Sequence, residues 1–228
     1  MAAGRTLTVH AGAATTFGGT LTAAEGVTKT GAETLTLTGK HTTPDSTWTV
    51  REGALALPGS VQAQKLAVEP AGTLRAGGTV QGAVDNAGTV DATGLTVRGA
   101  YTQRPGAHLT GTRMSVTGAV TLAGTFEPGP ARGPGVIIDN QGTDQVSGTF
   151  DGLPEGAAVG ASRLTYHGGD GNDVVLTGDT DTIRPDSTTP QAAAVSSSGP
   201  LWWFSAVGAL VLLIALGFLA RRRSRDRN

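Results

Sequence analysis

The 228-residue chain contains no cysteine. Disulfides, a thiol nucleophile and any Cys-based zinc or redox centre are therefore excluded, and stability must come from backbone pairing and core packing. Aromatic residues make up 4% and charged residues 15% of the chain. So sparse a charge pattern gives little support to an acid- or base-lined catalytic groove. The four histidines, His10, His41, His108 and His167, are scattered and none sits in an H-E-x-x-H spacing. No G-x-S-x-G nucleophile elbow occurs. Also missing from the first 19 residues is an apolar stretch of signal-peptide length.

The one strong apolar run lies at the other end. Leu201 to Ala220 carries no charge, and 11 of its 20 residues are Leu, Ile, Val or Phe. Twenty residues at about 1.5 Å rise span roughly 30 Å, the hydrocarbon thickness of a bilayer. Trp202 and Trp203 suit the headgroup belt, and Arg221, Arg222, Arg223, Arg225 and Arg227 follow directly. By the positive-inside rule the sequence predicts a single-pass transmembrane helix at 201–220 and a cytoplasmic basic tail at 221–228. The lipid bilayer is the expected partner of 201–220, and the N-terminal region is expected outside the cell. The formal net charge is −1, of which the tail contributes +4. The remaining −5 leaves no footprint for nucleic acid. Export without a visible signal predicts that Met1 is not the natural start, and that upstream coils and a secretion signal precede it.

What fills the rest is Gly, Thr, Ala and Val, with 35 glycines. Residues 1–177 read as one repetitive region. Runs such as Thr34-Leu35-Thr36-Leu37, Ala54-Leu55-Ala56-Leu57, Leu66-Ala67-Val68, Leu95-Thr96-Val97 and Val136-Ile137-Ile138 alternate in and out between turn residues. Gly31, Gly53, Gly72, Gly88, Gly106 and Gly124 are spaced by 22, 19, 16, 18 and 18 residues. A period near 20 with several short strands per unit predicts a mainly β fold, a parallel β-solenoid. Nine coils at about 4.8 Å would give a rod near 43 Å long. A sandwich of hairpins is the rival fold, but Asp151-Gly152 is the one clear hairpin signal. Residues 178–200 turn to Pro, Ser, Thr and Ala, the composition of a disordered linker or stalk.

Val27-Thr28-Lys29-Thr30-Gly31-Ala32-Glu33-Thr34-Leu35-Thr36-Leu37-Thr38-Gly39, continued by Trp48-Thr49-Val50 and Gly53-Ala54-Leu55, resembles the autotransporter-associated β-strand repeat. Phe150 to Gly156 and Tyr166 to Thr177 resemble the segment that closes such arrays. The resemblance implies a passenger-type right-handed β-helix of a bacterial cell-surface protein. Glu33 stands where the repeat usually has Gly, and Lys40 to Ser46 replaces its usual turn. No run of amphipathic ten-residue strands for a C-terminal β-barrel follows, so the resemblance points to a helix-anchored variant. Leu-Pro-x-Thr-Gly is missing ahead of Leu201, and the helix is expected to be retained.

Two patches suggest chemistry. Gly168-Gly169-Asp170-Gly171-Asn172-Asp173-Val174-Val175-Leu176 matches a calcium-binding nonapeptide, but one copy supplies only half of a calcium cage. The plain reading is a Gly-rich turn before the last strand, and no catalytic, cofactor or metal residue is assigned. A coil also brings residues about 20 apart face to face, which makes Asp85 with Glu69, or Asp91 with Asp85, candidate carboxylate pairs for sugar hydrolysis. Solvated turn residues are the plainer account. Trp48 is read as a core or cap residue, or else an exposed contact. The expected function is a non-enzymatic, adhesin-like or structural rod on a membrane anchor, the C-terminal part of a larger exported protein. The alternatives are a polysaccharide-acting β-helix enzyme and a fragment without autonomous activity. The sequence identifies no extracellular protein or glycan ligand.

Overall fold

The computed structural model describes residues 6–22, 25–129 and 133–178. The chain divides into two units, Met1–Thr182 and Ile183–Asn228. The second unit lies outside the described residues, and with it the expected span 201–220 and tail 221–228. So does the expected linker apart from Gly178. No helix occurs among the described residues, so none there is long and apolar enough to cross a membrane.

The described part is a parallel β-solenoid of about six turns. The first coil holds β1 (Thr6–His10) and β2 (Thr15–Phe17). The second holds β3 (Gly26–Thr30) and β4 (Thr34–Leu37), and closes on the start of β5 (Lys40–Leu57). Both β5 and β6 (Ser60–Ala76) are long because each runs on through corners between sides. Then follow β7 (Thr79–Asn86), β8 (Thr89–Val97), β9 (Tyr101–Gln103), β10 (His108–Val116), β11 (Val120–Leu122), β12 (Thr125–Pro128) and β13 (Gly135–Asn140). Parallel partners lie 16 residues apart (Thr73 with Thr89) to 26 apart (Thr121 with Ser147).

Side chains alternate across each strand, so every second residue enters the lumen. On side one the inward column is Leu7, Val27, Trp48, Leu66, Val84, Tyr101 and Val120. On side two it is Leu35, Leu55, Leu74, Val90, Leu109 and Phe126. Side three carries His41, Val61, Val80, Val97, Val116 and Asn140. From the second coil onward these residues are buried and make one continuous core. Each fully buried Leu or Val contributes roughly 1.5–3 kcal/mol. Trp48 belongs to that core at 2% exposure, and its indole N–H donates to Thr43 Oγ1 at 2.8 Å.

Glycines stand where the chain turns between sides. A Cβ on Gly59 would overlap the Gly39 carbonyl, and one on Gly78 would overlap the Gly59 carbonyl. Only a residue without a side chain lets successive coils approach at that corner.

The nine expected coils are corrected to about six. Among the described residues one more parallel rung follows β13. Ser147–Gly148 (β14) is the last strand to stack on side one, followed by β15 (Ala158–Val159), β16 (Ser162–Gly168) and β17 (Asp173–Gly178). Strands β16 and β17 form an antiparallel hairpin, and β17 pairs antiparallel with β13. Residues 149–178 therefore cap the stack, which at about 4.8 Å per coil is roughly 29 Å long. Phe150 stacks on Phe126 with ring centroids 5.2 Å apart. The Tyr166 hydroxyl donates to Leu153 O at 2.6 Å and accepts the Phe150 N–H at 3.0 Å. These rings seal the end of the lumen.

Candidate functional surfaces

Three places carry polar chemistry: the inward polar residues, the outward carboxylates and the cap turn. Inside, Lys29, His41, Asn86 and Gln103 occupy positions where the alternation expects apolar side chains, and all four are buried. Three of them serve the corners. Lys29 Nζ donates to the carbonyls of Gly31, Glu33 and Glu52. Asn86 Nδ2 donates to His108 O at 3.0 Å while its Oδ1 accepts the Gly88 N–H at 3.1 Å. Gln103 Nε2 donates to Thr125 O at 2.9 Å, and its Oε1 accepts the Tyr101 hydroxyl at 2.9 Å. A tight corner leaves carbonyls pointing into the wall, and these side chains satisfy them from within.

His41 has a different setting. Its ring lies 6.0 Å from that of Phe17 and 5.9 Å from that of Trp48. Nδ1 accepts the Leu21 N–H at 3.3 Å, which places the proton of the neutral ring on Nε2, where no partner meets it. Burial lowers its pKa below 6.5. A base whose folded pKa lies under the unfolded value supports the fold fully above pH 6.5 and loses that support as the pH falls below it. The thermal midpoint of the chain is expected to drop between pH 7 and pH 5, and His41→Leu to flatten that dependence. Melts followed by circular dichroism at several pH values check it. Equal slopes in the two proteins would contradict the assignment.

The carboxylate pairs expected from the period are not assembled for hydrolysis. On side one Asp85 lies opposite Ala67, with Glu69 two residues further along. Arg104 reaches both Asp85 oxygens at 2.6 Å and Lys65 approaches at 3.5 Å. The Arg104 hydrogen bonds hold the Asp85 carboxyl below the usual range, the reverse of what a general acid needs. Glu69 is paired with Arg51 at 3.3 Å. Asp91 stands on side two opposite Arg75, away from Asp85. The turns thus place these carboxylates in cross-coil ladders with cations, as does the Arg113–Asp139 pair at 2.7 Å.

Gly168 to Leu176 forms the β16–β17 turn and the start of β17. Two of its three polar side chains face the preceding lap. Asp173 Oδ1 accepts the Asn140 N–H at 2.8 Å, and Asn172 Nδ2 donates to Gly142 O at 2.8 Å. Burial raises the Asp173 pKa. The motif therefore acts as a latch between hairpin and stack. Among the described residues no three His, Asp or Glu side chains converge as a metal-binding group.

The N-terminal coil is built differently from the rest. Leu7 and Phe17 are 39% and 38% exposed, whereas their column partners Val27 and Leu37 are 3% and 1% exposed. Below them an apolar cavity of about 220 Å³ is lined by Leu7, Val9, Thr15, Phe17, Leu21, Val27, Leu35, Leu37 and Trp48. The sequence showed the apolar alternation of β1 but not that this end is open, because openness depends on what stacks above. Comparison of the chain with protein-family models and with curated proteins finds no match.

Proposed function

We propose that the chain is a non-enzymatic structural or adhesive rod of a bacterial surface. It belongs to the autotransporter-associated repeat type in a helix-anchored form. One bilayer-spanning helix at 201–220 holds it, with the N-terminal region outside the cell and the tail in the cytoplasm, and the coils are the membrane-proximal part of a larger exported protein. The observation that carries this reading is the stack itself: about six parallel coils around a continuous apolar core. Such a stack is suited to holding one extended surface at a fixed distance. The ion pairing of Asp85 and Glu69 further favours a display role over hydrolysis.

Intact cells carrying the full chain with a tag after Asn228 test the reading. External protease is expected to remove the coils and leave the tag protected until the cells are lysed. Coils that survive on intact cells but are cut in lysates would overturn it.

A further inference from the structure

The two ends of the solenoid are finished unequally. The C-terminal end is closed by the β16–β17 hairpin and the Phe126, Phe150 and Tyr166 rings. At the N-terminal end β1 pairs with β3, and β2 with β4. Their other edges have no ladder partner among the described residues. Natural sheets guard such edges with charge, proline, bulges or a covering segment. Between Thr6 and Leu21 there is no Asp, Glu, Lys, Arg or Pro. Neither β1 nor β2 has a register break.

We propose that this end is a docking edge for one further parallel coil with the chain's own chemistry. That coil is uncharged, apolar at alternate positions, and supplied by polypeptide outside residues 1–228. The inference rests on reading the rod as part of a longer array. A whole coil needs more than Met1–Arg5, because five residues fall well short of the 16 to 26 that separate stacked partners. Residues 179–200 are rich in Pro, Ser, Thr and Ala and 201–220 form an unbroken apolar run, so neither has the alternation that a coil needs. Charge fits the choice. The incoming strand lies over a neutral edge and an apolar cavity, so a charge placed there would be desolvated without a partner.

A parallel coil is favoured over a second copy on geometry. It continues sides one and two together, over β1 and β2. A two-fold-related copy would align β1 with its own mate in antiparallel fashion but exchange sides two and three. Strand β2 would then face a side on which the first coil has no strand. Only one of the two edges would be satisfied.

The probe is a labelled synthetic peptide copying residues 6–22, titrated into the detergent-solubilised full chain and followed by fluorescence anisotropy. Saturable binding is expected, weakened at least tenfold by Leu7→Glu and by Phe17→Glu, with no binding of a scrambled peptide. Both positions are more than a third exposed, and having two variants guards against one failing to fold. No binding, binding indifferent to both substitutions, or a wild-type dimer that Leu7→Glu dissociates would each overturn the proposal, the last by assigning the edge to a second copy. The protease result on cells is independent, so surface display and coil docking can fail separately.

Discussion

Gly78→Val is expected to lower the thermal midpoint by about 10 °C, from a loss of roughly 4 kcal/mol in a domain of this size. The new Cβ would overlap the Gly59 carbonyl and lie 2.8 Å from the Leu57 carbonyl oxygen. Those carbonyls accept the N–H groups of Thr79 at 3.0 Å and Gly78 at 3.1 Å. Backbone at a stacked corner has nowhere to retreat, because Gly59 is itself pressed against Gly39. Moving one coil away from its neighbour removes ladder bonds and opens the lumen together, a larger penalty than the 1–3 kcal/mol of ordinary overpacking. In a nearest-neighbour stack such a break also uncouples the coils on either side. Gly133→Val is the matched control. Nothing lies within 4 Å of a Cβ there, and a change below about 0.5 kcal/mol is expected. Melts of the three proteins check both claims, and equal midpoints for wild type and Gly78→Val would refute the close-approach account of the corners.

Deleting residues 201–228 is expected to move the protein almost completely from the membrane pellet to the soluble fraction. The 11 Leu, Ile, Val and Phe residues in that segment each favour insertion by about 0.3–0.6 kcal/mol near the bilayer centre. Their sum is several kcal/mol, a shift of more than a hundredfold in partition. No helix among the described residues is long and apolar enough to cross a membrane. Carbonate extraction followed by blotting measures the distribution. Full-length protein extracted as readily as the deletion variant would contradict the anchor.

The strand pattern was legible because alternation and corner glycines obey local rules. Gly72-Thr73-Leu74, Gly88-Thr89-Val90 and Gly124-Thr125-Phe126 all fall on side two with Leu74, Val90 and Phe126 inward. Gly106 is the slip. Register puts Ala107 in the corner between Gly88 and Gly124, and nothing lies within 4 Å of a Cβ on Gly106. A spacing of 18 counted either residue equally well.

The coil number was not legible past Asn140. Alternation reports which face is buried but not whether the neighbouring strand runs parallel or antiparallel, so a period near 20 over residues 1–177 counted β16 and β17 as coils, although Tyr166 to Thr177 resembled a closing segment. Nor did the sequence reveal that His41, Lys29, Asn86 and Gln103 point inward. A polar residue in an apolar column looks like an interruption until the corner carbonyls it serves are seen in three dimensions. The carboxylates failed for a related reason. Period alone put Asp85 near Glu69, while the cations that neutralise them, Arg104 and Arg51, come from coils on either side.

Because the chain lacks cysteine, spin labels can be placed at single chosen sites. Thr8, Thr28, Thr49, Ala67, Asp85, Thr102 and Thr121 follow one another in register along the outside of side one. Electron–electron double resonance between a label at Thr8→Cys and a second at Thr102→Cys or Thr121→Cys is expected to give mean separations of about 24 and 29 Å, five and six steps of about 4.8 Å. A distance to position 121 equal to or shorter than that to position 102 would show that the chain does not climb one strand spacing per coil.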